Sequence, residues 1–130
     1  MGEYKRHSGG TYNVNYHVVF CPKRRKAVLV GNISHDCEVI LRNTAESVKC
    51  KIENCTIMPD HVHLFISAPP TIAPHSLVKR LKGATSNYLR ENYPQLKRLP
   101  TLWSSSYYVG TVGTASESVV KLYIEAQRGK

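Results

Sequence analysis

Four stretches of this chain read as β-strands and three as helices, in the order strand, helix, strand, strand, helix, strand, plus one C-terminal helix. In the first strand Tyr12, Val14, Tyr16, Val18 and Phe20 alternate with Asn13, Asn15, His17, Val19 and Cys21, a period of two with one buried face. Pro22 and the basic run Lys23–Lys26 close it. Lys51–Met58 and His61–Ala68 flank Pro59-Asp60, which predicts a hairpin, and Tyr107–Val112 is a short strand ended by Gly113. The spacing predicts one helix opened by Ser34 or Asp36, with Cys37, Ile40, Leu41, Thr44, Ala45 and Val48 along one side. A second runs from His75 or Ser76 to Asn92, its apolar side formed by Leu77, Leu81, Ala84, Tyr88 and Leu89. Ser116 caps a last helix through Arg128. This order predicts an α+β fold of the ferredoxin-like, RRM-like kind: a split βαβ antiparallel sheet with two helices on one face and an added C-terminal helix. At 130 residues the expectation is one domain over residues 1–130.

Eighteen Lys and Arg against nine Asp and Glu leave a net charge of +9, which favours a polyanionic partner, nucleic acid being the commonest. A hydrophobic share of 42% excludes an intrinsically disordered chain. The long uncharged runs, His61–Val78 and Leu99–Ser116, contain prolines or Gly/Ser/Thr clusters and predict no membrane span. Met1–Gly10 is polar and lacks the apolar core of a signal peptide. Cys21, Cys37, Cys50 and Cys55 form no CxxC pair, so they read as reduced thiols in a cytoplasmic protein.

The segment richest in chemistry is Met58-Pro59-Asp60-His61-Val62-His63-Leu64-Phe65-Ile66. On a strand Val62, Leu64 and Ile66 share one face, and His61 and His63 share the other with Cα atoms roughly 7 Å apart. Both imidazoles can then lean onto one metal ion, although two surface histidines would show the same spacing. A third ligand and an open position are needed for catalysis. A histidine-triad hydrolase needs another alternating His, but position 65 is Phe. On the last helix Tyr123 and Gln127 stand four apart on one face. The amide oxygen of Gln127 suits a hard cation and the phenol of Tyr123 suits attack on phosphorus; the same spacing also fits a packing stripe ending in an exposed Gln.

With these residues in view, the chain resembles the single-tyrosine HUH transposases of the IS-two-hundred-like insertion sequences, from about Tyr16 to Gln127. The resemblance is carried by Tyr16-His17-Val18-Val19-Phe20 with Pro22-Lys23, Met58-Pro59-Asp60-His61-Val62-His63, Leu81-Lys82-Gly83 and Leu102-Trp103. It continues through Ser106-Tyr107-Tyr108-Val109-Gly110-Thr111-Val112-Gly113 and Tyr123-Ile124-Glu125-x-Gln127. It implies a metal-dependent single-strand DNA endonuclease and strand transferase that cuts and rejoins DNA at hairpin-marked element ends through a 5′-phosphotyrosine. His61, His63 and Gln127 match the family's metal ligands, for magnesium or manganese, and Tyr123 matches the nucleophile. It further implies a homodimer with active sites shared between chains, acting in the cytoplasm of a prokaryotic cell. Relatives often carry a longer tail than the Arg128, Gly129 and Lys130 that follow Gln127 here.

Lys23, Arg24, Arg25, Lys26, Lys79, Arg80 and Lys82 form two basic clusters suited to holding phosphates without reading sequence, or to lining solvated turns. Tyr107 and Tyr108 suit stacking on unpaired bases or packing, and Trp103 reads as packing. Two other readings compete with the transposase. One is a domesticated, non-mobile nucleic-acid-binding relative of the same fold. The other is an unrelated metal-dependent phosphoesterase that uses water in place of Tyr123.

Overall fold

Alternating side chains put Val14–Phe20 into strand β1, which lies second from the edge of a four-stranded antiparallel sheet. The structure, a computed structural model, describes residues 13–111 and 117–130. The expected first residue of the strand (Tyr12), the end of the last strand (Val112), the Gly113-Thr114-Ala115 link and the Ser116 cap lie outside the described residues. After β1 come helix α1 (Gly31–Ser47), strands β2 (Lys51–Met58) and β3 (His61–Ala68), helix α2 (Pro74–Asn92), strand β4 (Tyr108–Thr111) and helix α3 (Glu117–Ala126). The spatial order is β2-β3-β1-β4. β1 and β2 therefore run parallel with β3 between them, and β3 and β4 run parallel with β1 between them: the split βαβ topology expected from the element order.

Register fixes which face each side chain takes. β1 pairs with β3 from Val14↔Ala68 to Phe20↔Val62, and with β4 from Tyr16↔Thr111 to Val19↔Tyr108. Val18, Phe20, Val62, Leu64 and Ile66 fall on one face and are fully buried in a core with Cys37, Leu41 and Ala45 of α1 and Leu77, Leu81 and Leu89 of α2. Trp103 packs edge-on to Phe20 with ring centroids 4.7 Å apart. Its indole N–H donates to Thr85 Oγ1 at 2.9 Å, and that hydroxyl donates to the Leu81 carbonyl at 2.7 Å. The buried indole and hydroxyl are thus both satisfied, and Trp103 serves packing as expected.

Several boundaries differ from the sequence reading; β4, for one, starts at Tyr108 rather than Tyr107. α1 starts at Gly31, whose φ of 57° lets the chain enter the helix from the left-handed region, rather than at Ser34 or Asp36. Asp36 instead accepts a hydrogen bond from the Tyr93 hydroxyl at 2.5 Å. α2 starts one residue before His75, at Pro74, whose fixed φ and missing N–H suit the first turn. The buried stripe of α2 runs through Val78 and Thr85 rather than Ala84 and Tyr88, and Tyr88 is 46% exposed. α3 ends at Ala126, so Gln127 sits in the turn that closes it, its N–H bonded to the Ile124 carbonyl at 3.1 Å.

Candidate active site

The second sheet face carries His61, His63 and Phe65 of β3 beside His17 and Val19 of β1, because residues paired across an antiparallel ladder point the same way. The Pro59-Asp60 turn forms as expected, closing Met58 onto His61. Asp60 then turns back: its Oδ1 lies 2.9 Å from His61 Nδ1. With Nδ1–H donated to a carboxylate, the His61 Nε2 lone pair is left for a cation, the usual support of a ligating histidine. His63 Nε2 lies 3.3 Å from Nδ1 of His17, their rings 5.5 Å apart. His17 also packs against Phe65, the rings tilted by 43° with centroids 5.1 Å apart. Burial pulls the His63 imidazole below the usual range, helped by the neighbouring His17 and His61, so it stays neutral with a lone pair to offer.

Tyr123 and Gln127 approach this face from α3. Tyr108 pairs with Val19, which pairs on its other side with His63, so Tyr108 shares their face. The Tyr123 ring lies 6.3 Å from the Tyr108 ring. His63 is two strand spacings from Tyr108, roughly 10 Å. Among the described residues no hydrogen bond joins Tyr123 to either histidine. Its hydroxyl lies instead 3.0 Å from Ser106 Oγ. Gln127, only 4% exposed, accepts at Oε1 from the hydroxyls of Ser104 and Ser106 at 3.1 and 3.0 Å. Burial pushes the Tyr123 phenol up to about 12, and the Cys21 thiol adds to the rise. Docked this way the phenol is neutral at pH 7 and a weak nucleophile. Burial also raises the four thiols, Cys21 to about 11, so they too stay protonated at pH 7.

The donor set fits a divalent cation in part. His61 and His63 offer imidazole nitrogens from one face, and Gln127 offers one lone pair of its amide oxygen once Ser104 releases it, the Ser106 bond staying in place. Among the described residues no three His, Cys, Asp or Glu side chains stand together as a ready cage.

The basic residues divide. Lys23–Arg25 fold into a single 3-10 turn in which Arg24 and Arg25 take positive φ, a conformation that costs such residues about 1–2 kcal/mol. Contacts on every side hold it. Arg25, 13% exposed, pairs with Asp60 at 3.0 Å and Glu125 at 3.4 Å, and the Arg24 N–H bonds to the Lys130 carbonyl at 3.0 Å. Arg25 thus ties the His61 turn to α3 within the chain, a job the sequence reading did not give it. Lys82 is likewise engaged, its ammonium donating to the carbonyls of Ser104 and Ser106 at 2.7 and 3.2 Å. Arg24, Lys26, Lys79 and Arg80 are exposed and Lys23 is half-buried. Lys79, Lys82 and Tyr107 meet along a cleft of about 360 Å³ with His75, Ser86 and Trp103. The Tyr107 hydroxyl lies 3.0 Å from His75 Nδ1.

Sequence reading missed His17, Asp60, Ser104 and Ser106. The signal for His17 was present, since it shares its strand face with Val19 and Cys21; only the register places it beside His63. The serines had no local signal, because they meet Gln127 across 21 and 23 residues of chain.

Comparison with known proteins bears on this geometry. Residues 10–127 match the family described as "Transposase IS200 like". The chain is 38% identical to the ISDra2 transposase TnpA of Deinococcus radiodurans over 98% of its length and 94% of that protein. It is 32% identical to the transposase for insertion sequence element IS200 of Salmonella typhimurium, over 98% of this chain and 85% of that one. Among solved structures, one assigned to a transposase of Deinococcus radiodurans R1 superposes with a TM-score of 0.89 at 33% identity, covering 97% of this chain and 99% of that one. The REP-associated tyrosine transposase, solved bound to a REP hairpin, shares the fold with a TM-score of 0.58 at 12% identity, over 96% of this chain and 69% of that one.

Proposed function

The chain belongs to the IS200-like transposase family, and on that premise we propose that it cuts and rejoins single-stranded DNA at hairpin-marked element ends, with Tyr123 as nucleophile and His61, His63 and Gln127 as metal ligands. The observation that carries this reading is the Tyr123–Gln127 turn, held as one hydrogen-bonded unit over the sheet face that presents His61 and His63. A phosphodiester is shielded from oxygen nucleophiles by its own charge. The divalent ion this donor set suits, magnesium or manganese, would neutralise a non-bridging oxygen of that phosphate when bound. Three neutral ligands add no negative charge, so the ion is expected to bind weakly and together with DNA.

Attack by the Tyr123 oxygen on phosphorus forms the Tyr–O–P bond and breaks the P–O3′ bond. The products are a 5′-phosphotyrosine and a free 3′-hydroxyl that takes up a proton. The new ester retains the free energy of the old one, so a different 3′-hydroxyl can reverse the step without a nucleotide cofactor. Asp60 holds the His61 ring, and Arg25 ties the Asp60 turn to α3 through Glu125.

The working unit is a homodimer in which the Tyr123 helix of one chain serves the His61/His63 pair of the other. Two features support this. Tyr123 is bonded to Ser106 rather than to its own histidines, and α3 leaves Leu122 70% exposed. A two-fold arrangement would complete both sites at once. Complementation tests it: His61→Ala and Tyr123→Phe chains, each inactive alone, are mixed and allowed to exchange subunits. Half the dimers are then mixed and each has one intact site of two, so cleavage should return to about a quarter of the wild-type level. No recovery despite proven exchange would place both residues of a site in one chain.

DNA is expected to lie along the exposed cations Arg24, Lys26, Lys79 and Arg80. Affinity for hairpin DNA should fall by about 0.7–0.9 log units per log unit of salt for each phosphate neutralised. Replacing Lys79 and Arg80 by Ala should lower that slope by about two such contributions for every DNA sequence alike. An unchanged slope would move the DNA to another surface.

A further inference from the structure

The hydrogen bonds among Tyr123, Ser106 and Gln127 have only one consistent direction. The Gln127 amide oxygen can only accept, so Ser106 donates its single hydroxyl hydrogen to Oε1 at 3.0 Å. The 3.0 Å contact between Ser106 and Tyr123 is then a donation from the phenol to Ser106 Oγ. Ser104 donates to the same amide oxygen at 3.1 Å, and Gln127 Nε2 donates to the Tyr123 carbonyl at 3.3 Å. Turning the amide over would set its nitrogen against two hydroxyls and its oxygen against a carbonyl, so the network fixes its orientation. The serines themselves sit on a braced segment: Lys82 holds both their carbonyls, and the Ser104 N–H donates to the Cys21 carbonyl at 2.9 Å.

We propose that Ser106 is a positioning residue for strand cleavage, its hydroxyl joining Tyr123 and Gln127 into one unit so that nucleophile and amide oxygen are presented to the phosphate together. The inference rests on the assignment of Tyr123 as nucleophile. Without the hydroxyl, the phenol and the three-torsion Gln side chain are oriented separately, and each must find its working rotamer at the moment of reaction.

Ser106→Ala keeps the carbonyl that Lys82 holds, and Ser106 is exposed, so the variant is expected to fold. The test measures kcat and KM for cleavage of a hairpin-bearing single strand by the full chain as wild type, Ser106→Ala, Ser106→Thr and Tyr123→Phe. In parallel, the side-chain amide signals of Gln127, identified by their loss in Gln127→Glu, are followed by ¹⁵N NMR. Ser106→Ala should lower kcat about tenfold, the scale of one hydrogen bond, with KM nearly unchanged. Ser106→Thr, which restores a hydroxyl, should recover most of the rate. The Gln127 amide signals should move in the Ala variant and return in the Thr variant. Wild-type kcat in Ser106→Ala, or equal losses in Ala and Thr, would overturn the positioning role while leaving the nucleophile in place. Cleavage by Tyr123→Phe would instead remove the assignment on which the inference stands.

Discussion

Tyr123→Phe should bind hairpin DNA as the wild type does and cut it more slowly by on the order of 10³-fold or more, because the substitution removes the oxygen proposed to join the DNA. Folding should survive. The hydroxyl donates a single bond to the exposed Ser106, while α3 is anchored elsewhere by Arg25, by the buried Val120 and by Gln127. Thermal melting and a binding titration check the first half of the expectation, and a cleavage time course checks the second. Equal cleavage rates would return the reaction to the water-using phosphoesterase reading.

A second large loss is expected at the histidines. On the proposed reading, His61→Ala or His63→Ala removes a metal ligand that Gln127 and solvent do not replace, and excess chelator should silence the intact protein in the same way. Loss of about 3 kcal/mol or more of charge stabilisation corresponds to roughly a 10²-fold or greater fall in rate. Gln127→Ala should cost less, about tenfold, because water can take the place of a neutral amide oxygen. Acid should act on the same pair. The folded His63 pKa lies below the ordinary imidazole value, so its neutral form persists to lower pH than in a free histidine. As far as it depends on His63, manganese affinity should therefore weaken with acid at a lower pH than a free imidazole would allow, as protons compete for the nitrogen. Full activity in excess chelator would remove the metal from the mechanism.

Much of the fold was legible because it depends on local periodicity. The alternation of Val62, Leu64 and Ile66 with His61 and His63 put the histidines on one strand face, and the structure has them there. The Pro59-Asp60 turn and the order of elements led to the observed split βαβ sheet. What escaped the sequence is tertiary. Thr85 is polar yet fully buried, because Trp103 and the Leu81 carbonyl satisfy its hydroxyl, and no helical pattern reveals such a partner. Arg25 reads as one of four basic residues in a run, but the turn around it directs it onto Asp60 and Glu125. His17 and Ser106 reach the site only through strand register and the docking of α3, contacts between residues far apart in the chain. The histidines, tyrosine and glutamine of the candidate site thus stood out in the sequence, and the groups that touch them did not.

The account turns on a covalent bond between Tyr123 and DNA, and that bond can be trapped. Wild-type protein is incubated with manganese and a hairpin-bearing single strand labelled on the 3′ side of the cleavage site, then denatured and resolved on a gel. The account predicts a labelled species at the mass of protein plus the 5′-phosphorylated fragment. That species should be absent from Tyr123→Phe and from chelated samples, and peptide mapping should place the DNA on Tyr123. Cleavage that proceeds with no protein-linked DNA, or an adduct mapped to another residue, would contradict it.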